Sequence, residues 1–212
     1  MISIATHLRS RAPILAMVCL ASVLAVEAQA QRYQEMPSPI DGAKARTLGG
    51  KVTAILRTAS NLNDSQQKEL VQYFVGYYFP AMTKTDANSL GELAEMRQKL
   101  FSQYINYARS SQVRDFMVKM TMSKMGEIAM GNYHPAARYN AVLAIGQLDA
   151  EPASSGANAS PPTPLPAGTN ALLAILTRDE IKGVNVPVSA KVGALVGLQR
   201  HARFGINEQF AD

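Results

Sequence analysis

Residues 134–148, HPAARYNAVLAIGQL, place Ala137, Ala141, Ile145 and Leu148 at i, i+4, i+8 and i+11. Those positions share one side of an α-helix. They cannot share one side of a strand, whose faces alternate every second residue. Val142 and Leu143 widen the apolar face, and so wide a face suits a helix with neighbours on more than one side. Pro135 stands in the first turn, where a missing N–H costs no hydrogen bond. Upstream, a helix is expected over about 111–130, ended by Gly131-Asn132.

The pattern returns 53 residues later: Arg138 set against Lys191 aligns Ala141 with Ala194, Val142 with Leu195 and Ile145 with Leu198. Pro135 and Pro187 lie three and four residues before their basic residues. Between the copies, residues 151–168 (EPASSGANASPPTPLPAG) are nearly all Pro, Ala, Ser and Gly, which predicts a flexible linker or long surface loop. Discounting that insertion leaves a period of about 40 residues.

On these residues the chain resembles the HEAT and HEAT-like (armadillo-type) helical repeat family. Pro135, Arg138, Ala141, Val142, Ile145, Gly146 and Leu148 match the second helix of such a repeat: Pro or Asp, a basic residue, then Ala-Val-x-Ala-Leu-Gly-x-Leu. Pro187, Lys191, Ala194, Leu195 and Leu198 form a second copy that departs from the pattern. His201 replaces its terminal Leu, and Gly193 and Gly197 are poor helix formers. The resemblance covers about residues 111–204, two repeats at best. It implies an all-α, right-handed stack of antiparallel helical hairpins, an α-solenoid. Such stacks carry an extended surface typically used for proteins or peptides.

The rest of the chain also reads as helical. Leu48, Val52, Ile55, Leu56 and Ala59 form a stripe over about 44–60. Asn63-Asp64-Ser65 predicts a helix start, with Asp64 three residues before Gln67; the helix is expected to stop before Pro80. Ser89 and Glu92 suggest the next capping box. Thr169 is expected to cap a helix NALLAILTRDEIK, and a last helix ends at Gly205, before a tail of residues 205–212. No stretch alternates long enough to predict a strand. The expected organisation is hairpins over 44–150, including a repeat at 111–149, and a second repeat-like hairpin over 169–204. The last helix carries Val188, Val192, Leu195 and Val196 and looks uncapped, which points to a partner or to self-association there.

The N-terminus points to export. Arg9 and Arg11 precede a short apolar run, and Ala28-Gln29-Ala30 then precedes Gln31. These are the three parts of a signal peptide, predicted to span residues 1–30 and to be cut after Ala30. The apolar run is too short to span a bilayer, so no membrane span is expected after cleavage. Residues 31–43, with two prolines, suggest a mobile leader. The sole cysteine, Cys19, would leave with the signal peptide, so stability must come from packing rather than disulfides. Removing Arg9, Arg11 and Glu27 from 21 basic and 16 acidic residues leaves 19 and 15, a net charge of +4. The basic residues are scattered, which argues against a nucleic-acid partner.

No catalytic constellation and no cofactor motif emerge. His134 and His201 lack metal-ligand spacing and are read as a capping residue and a helix-end charge. Gly49-Gly50-Lys51 fails the phosphate-loop pattern, because Ala45 and Val52 stand where Gly and Ser or Thr are required. Met117, Met120, Met122 and Met125 crowd one helix; thioethers select Cu(I), and they also fill irregular gaps between helices. Tyr73, Phe74, Tyr77, Tyr78 and Phe79 predict an aromatic cluster, or in part an exposed row for a peptide or sugar. The expected function is an exported, non-catalytic scaffold that binds a protein or peptide. The alternatives are an enzyme or accessory subunit of a HEAT-like lyase type, and a Met-rich copper-binding envelope protein.

Overall fold

Short polar side chains set the helix starts, as the computed structural model shows. It describes residues 32–156 and 159–205. α1 (Gly42–Thr58) starts at Asp41, whose carboxylate accepts the Lys44 N–H at 2.8 Å. α2 (Asp64–Tyr73) starts at Asn63, with Gln66 returning a bond to the Asn63 N–H. α3 (Ala87–Lys99) starts at Asp86. The capping residues thus stand one and three positions before the expected Asp64 and Ser89. α4 (Ser111–Met130) is capped by Ser110, and α5 (Pro135–Ile145) by His134, whose Nδ1 accepts the Ala136 N–H at 3.2 Å.

Two helices widen where bulky residues crowd. α2 continues through a π-helical turn, Phe74–Tyr78, into Phe79–Ala81, and α3 through another, Leu100–Ile105. The widened turn carries the chain past Pro80, so the helix does not stop before it. Tyr73, Phe74 and Tyr78 are buried there against Tyr104, and Phe79 is buried against Phe74 and Tyr78. The Tyr78 hydroxyl donates to the Met96 carbonyl at 2.6 Å, and the Tyr73 and Tyr104 hydroxyls meet at 3.0 Å. These rings are core; most of the suggested outward row is closed.

The described chain is mostly helical. Two short antiparallel pairings join it: β1 (Asp149–Glu151) with β2 (Thr163–Pro164), and β3 (Glu180–Ile181) with β4 (Val184–Asn185). The first pairing ties down both ends of the Pro/Ser-rich stretch, and Pro164 is buried. α6 (Pro166–Thr177) then begins three residues before the expected Thr169. α7 (Val188–Phe204) closes the described chain.

Residues 33–40 correct the expected mobile leader. Gln34 N–H donates to the Asn132 carbonyl at 2.9 Å, and Met36 N–H to Thr83 Oγ1 at 2.9 Å. Ile40 is buried on Gly76, where a Cβ would lie 2.8 Å from Ile40 Cγ1. All of this lies in one compact unit, Tyr33–Asp212. Of Met1–Arg32, only Arg32 is described; the predicted signal peptide and its cleavage residues Ala28, Ala30 and Gln31 lie outside the described residues. So does most of the tail.

The core is continuous from α1 to α7. α4 is apolar on several sides because α5, α6 and the widened end of α3 surround it. α5 packs on α4 and α7 and also meets α3, while α6 packs on α7. Among the described residues, no helix is long and apolar enough to cross a membrane.

Candidate functional site: the outward strip of the last helix

α7 is built with two unlike faces. Ala190, Gly193, Ala194, Gly197 and His201 point inward and are buried. The small residues let neighbouring helices come close. A Cβ on Gly197 would lie 2.7 Å from Leu172 Cδ1 and 3.1 Å from Gly146 Cα; one on Gly146 would lie 2.6 Å from Gly197 Cα. A Cβ on Gly193 would meet Tyr139 at 3.1 Å and Val142 at 3.2 Å. Residues 142 and 146 thus face 193 and 197 in the same order, so α5 and α7 run parallel at this contact.

The outward face is apolar as well. Val188 is 77% exposed, Val192 47%, Leu195 53% and Val196 48%. At helical spacing these residues form one strip, which Gln199 and Arg203 continue towards the C-terminal end. Exposed apolar residues scattered singly are ordinary; these four lie together on one helical face. Another apolar opening, between α2 and α4, carries Val71 and Phe116 beside Lys68.

The strip occupies the positions that lie 53 residues beyond the α5–α7 contact. α5 meets α7 through Tyr139, Val142 and Gly146. Moved on by 53, these positions are Val192, Leu195 and Gln199, which lie on the exposed strip. α7 thus presents outward the same positions with which α5 holds its neighbour. Val142 is buried and its counterpart Leu195 is not, because no described element covers α7 on that side.

The remaining signature residues divide between core and surface. Arg138, Ala141, Ile145, Gly146 and Leu148 are buried, and Pro135 forms the first turn of α5. Arg138 donates from Nε to the Ala129 carbonyl at 3.0 Å and from Nη1 to the Asn185 carbonyl at 2.6 Å, tying α4 to the turn before α7. In the second copy Ala194 is buried, Pro187 precedes α7, Leu198 packs partly against the core, and Lys191 pairs with Asp179 at 2.5 Å.

The titratable groups near α7 are structural. Thr169 Oγ1 and His201 Nδ1 lie 2.8 Å apart, and both residues are buried, His201 to 1% exposure. A hydroxyl–imidazole pair so enclosed presents no face to a substrate. Burial, then the adjacent Arg200 cation, holds the His201 pKa below its usual value. Arg200 grips Asp149 through two bonds of 2.8 Å. Arg114 holds the same segment by donating to the Asp149 and Ala150 carbonyls at 2.8 and 3.1 Å.

The methionines belong to the packing of α4. Met117 and Met125 are fully buried, while Met120 and Met122 are partly buried against the core. At about 100° per residue, Met120 and Met122 lie on nearly opposite sides of the helix. Among the described residues, no three His, Cys, Asp or Glu side chains gather into a metal-binding group.

Sequence reading missed the Thr169–His201 pair and the carbonyl partners of Arg114 and Arg138, all of which depend on long-range contacts. No family model matches the chain, and neither the curated proteins nor the solved structures include a match.

Proposed function

We propose that this chain is an exported, non-catalytic helical-repeat protein that binds a protein partner through the outward strip of α7. The observation that carries the reading is the equivalence of positions: Val192, Leu195 and Gln199 repeat the places of Tyr139, Val142 and Gly146, which hold α7 on α5. The helix contacts support a HEAT-like stack. α4 meets α6, α5 meets α7 and α3 meets α5, as the first and second helices of successive hairpins would. The enclosed Thr169–His201 pair weighs against hydrolytic chemistry at that place.

The test is a photo-cross-linking residue at position 195 in the source cells, with one at exposed Ala54 on α1 as control. A discrete protein adduct from 195 but not from 54 is expected. No adduct from 195, in a chain shown to be folded, would overturn the reading.

A further inference from the structure

We propose that the cleft between the end of α3 and the turn after α5 binds the C-terminal carboxylate of a peptide, with Arg97 taking the charge. The cleft shares no residue with the α7 strip and stands independently of it.

Arg97 is a half-buried cation without an anion. No ion pair reaches it among the described residues, and Glu95, two positions earlier, is held by Lys99 at 2.6 Å. Burial lowers the Arg97 pKa, and no carboxylate offsets that cost. The two buried arginines are treated differently. Arg114 and Arg138 each spend two nitrogens on backbone carbonyls. Arg97 spends one: its Nη1 donates to Asn140 Oδ1 on α5 at 2.5 Å. Its Nε and Nη2 have no partner among the described residues and are open to solvent. Asn140 is 3% exposed, and its own Nδ2 is left unpartnered. The buried carboxamide thus holds the guanidinium by Nη1 from the protein side. The Nε–Nη2 edge stays available, an edge that can grip a carboxylate through two parallel bonds.

That guanidinium lines a cleft of about 470 Å³, within the size range of ligand sites. Gln98, Asn106 and Gln147 add three carboxamides, each a donor and an acceptor. Ser102 Oγ donates its proton to the Gln98 carbonyl at 2.9 Å and is left to accept. These groups match a peptide end: carboxylate on Arg97, backbone amides on the carboxamides, an N–H on Ser102. Phe101, partly buried against the core, supplies an apolar wall. The lining carries one cation and one carboxylate, Glu95, a balance that suits a monoanion and opposes a phosphate dianion.

The widened turn Leu100–Ile105 shapes this wall. The Asn106 N–H donates to the Phe101 carbonyl at 2.9 Å, five residues back, so the two residues share a side. In an α-helix they would stand about 140° apart. Such turns are frequent at functional sites.

The test is an NMR titration of isotope-labelled residues 31–212, which contain the compact unit, with acetyl-trialanine. The Arg97 Nε–H and the Gln147 backbone N–H are the reporters. Saturable binding with a Kd of about 0.1–1 mM is expected. The C-terminal amide of the same peptide should bind at least about tenfold more weakly, because it cannot make charge-assisted bonds. Acetate and inorganic phosphate should each bind at least about tenfold more weakly than the peptide. Arg97→Gln, read at Gln147, should weaken the peptide at least about tenfold. Asn140→Asp supplies Arg97 with an internal carboxylate and should do the same; if that variant fails to fold by circular dichroism, Arg97→Gln decides. No saturation by about 20 mM, equal affinity for the amide, acetate or phosphate, or indifference to either substitution in a folded chain would each overturn the proposal. None of these results bears on the α7 strip, whose test is the cross-link from position 195.

Discussion

Gly146→Ala should loosen the seam between α5 and α7. The backbone there, φ −66° and ψ −12°, suits alanine, so any effect comes from the added Cβ. That Cβ would lie 2.6 Å from Gly197 Cα, a backbone atom that cannot swing away. Carbon atoms rest at about 3.5–4.0 Å, so the helices must separate locally by about 1 Å, a gap that forfeits up to about half of each contact's attraction. The loss extends to the neighbouring contacts of Gly193 with Tyr139 and Val142. Forced overpacking of this kind costs about 1–3 kcal/mol. As a matched control, Gly50 lies inside α1 with nothing within 4 Å of its would-be Cβ. Gly50→Ala should therefore stabilise by about 0.5–1 kcal/mol through helix propensity. In urea titrations the two variants should shift the midpoint in opposite directions at unchanged slope. If Gly146→Ala is as stable as wild type, the close α5–α7 contact is wrong, and with it the equivalence that identifies the strip.

Three further outcomes follow from buried polar groups. Arg138→Met keeps the aliphatic stem but strips the Ala129 and Asn185 carbonyls of their donor, and should cost about 2–4 kcal/mol in the same titration. His201 has a lowered folded pKa, so the fold binds fewer protons than the unfolded chain. Its contribution is intact above the unfolded value of about 6.5 and is lost as pH falls through the folded value. Melting temperature should therefore drop between neutral and mildly acidic pH less steeply in His201→Gln; parallel profiles would refute this. Asp149→Asn removes the two-bond pairing with half-buried Arg200 and should cost about 1–2 kcal/mol, less at high salt.

The features legible in the sequence are those set by local pattern. The bounds of α4 agree with the expected 111–130, and Pro135 opens α5 because its ring needs the first turn. Val188, Val192, Leu195 and Val196 were readable as an uncovered face because they add a second apolar side to a helix whose other side is Ala and Gly. What was not legible depends on residues far apart in the chain. Residues 33–40 have a mobile-leader composition, yet Asn132, Thr83 and Gly76 pin them. Thr169 reads as a cap, but its hydroxyl is used by His201, 32 residues away, while Pro166 starts the helix. The widened turns at 74–78 and 100–105 lie where α2 and α3 bring their aromatic rings together, which no single-helix periodicity encodes. Arg138 was legible as a basic residue in the first turns of α5, but its carbonyl partners were not.

The central claim is that the α7 strip is covered when the protein works. Cys19 is the sole cysteine and precedes the described core, so a thiol placed on α7 can be read cleanly. The most direct measurement compares labelling of Leu195→Cys and Ala54→Cys by a thiol reagent, first in dilute purified protein and then in the source cells. Both thiols should react at similar rates when purified, since both positions are exposed. In the cells, position 195 should react at least about tenfold more slowly, as a buried thiol does. Equal rates in the cells would show the strip open to solvent and contradict the account.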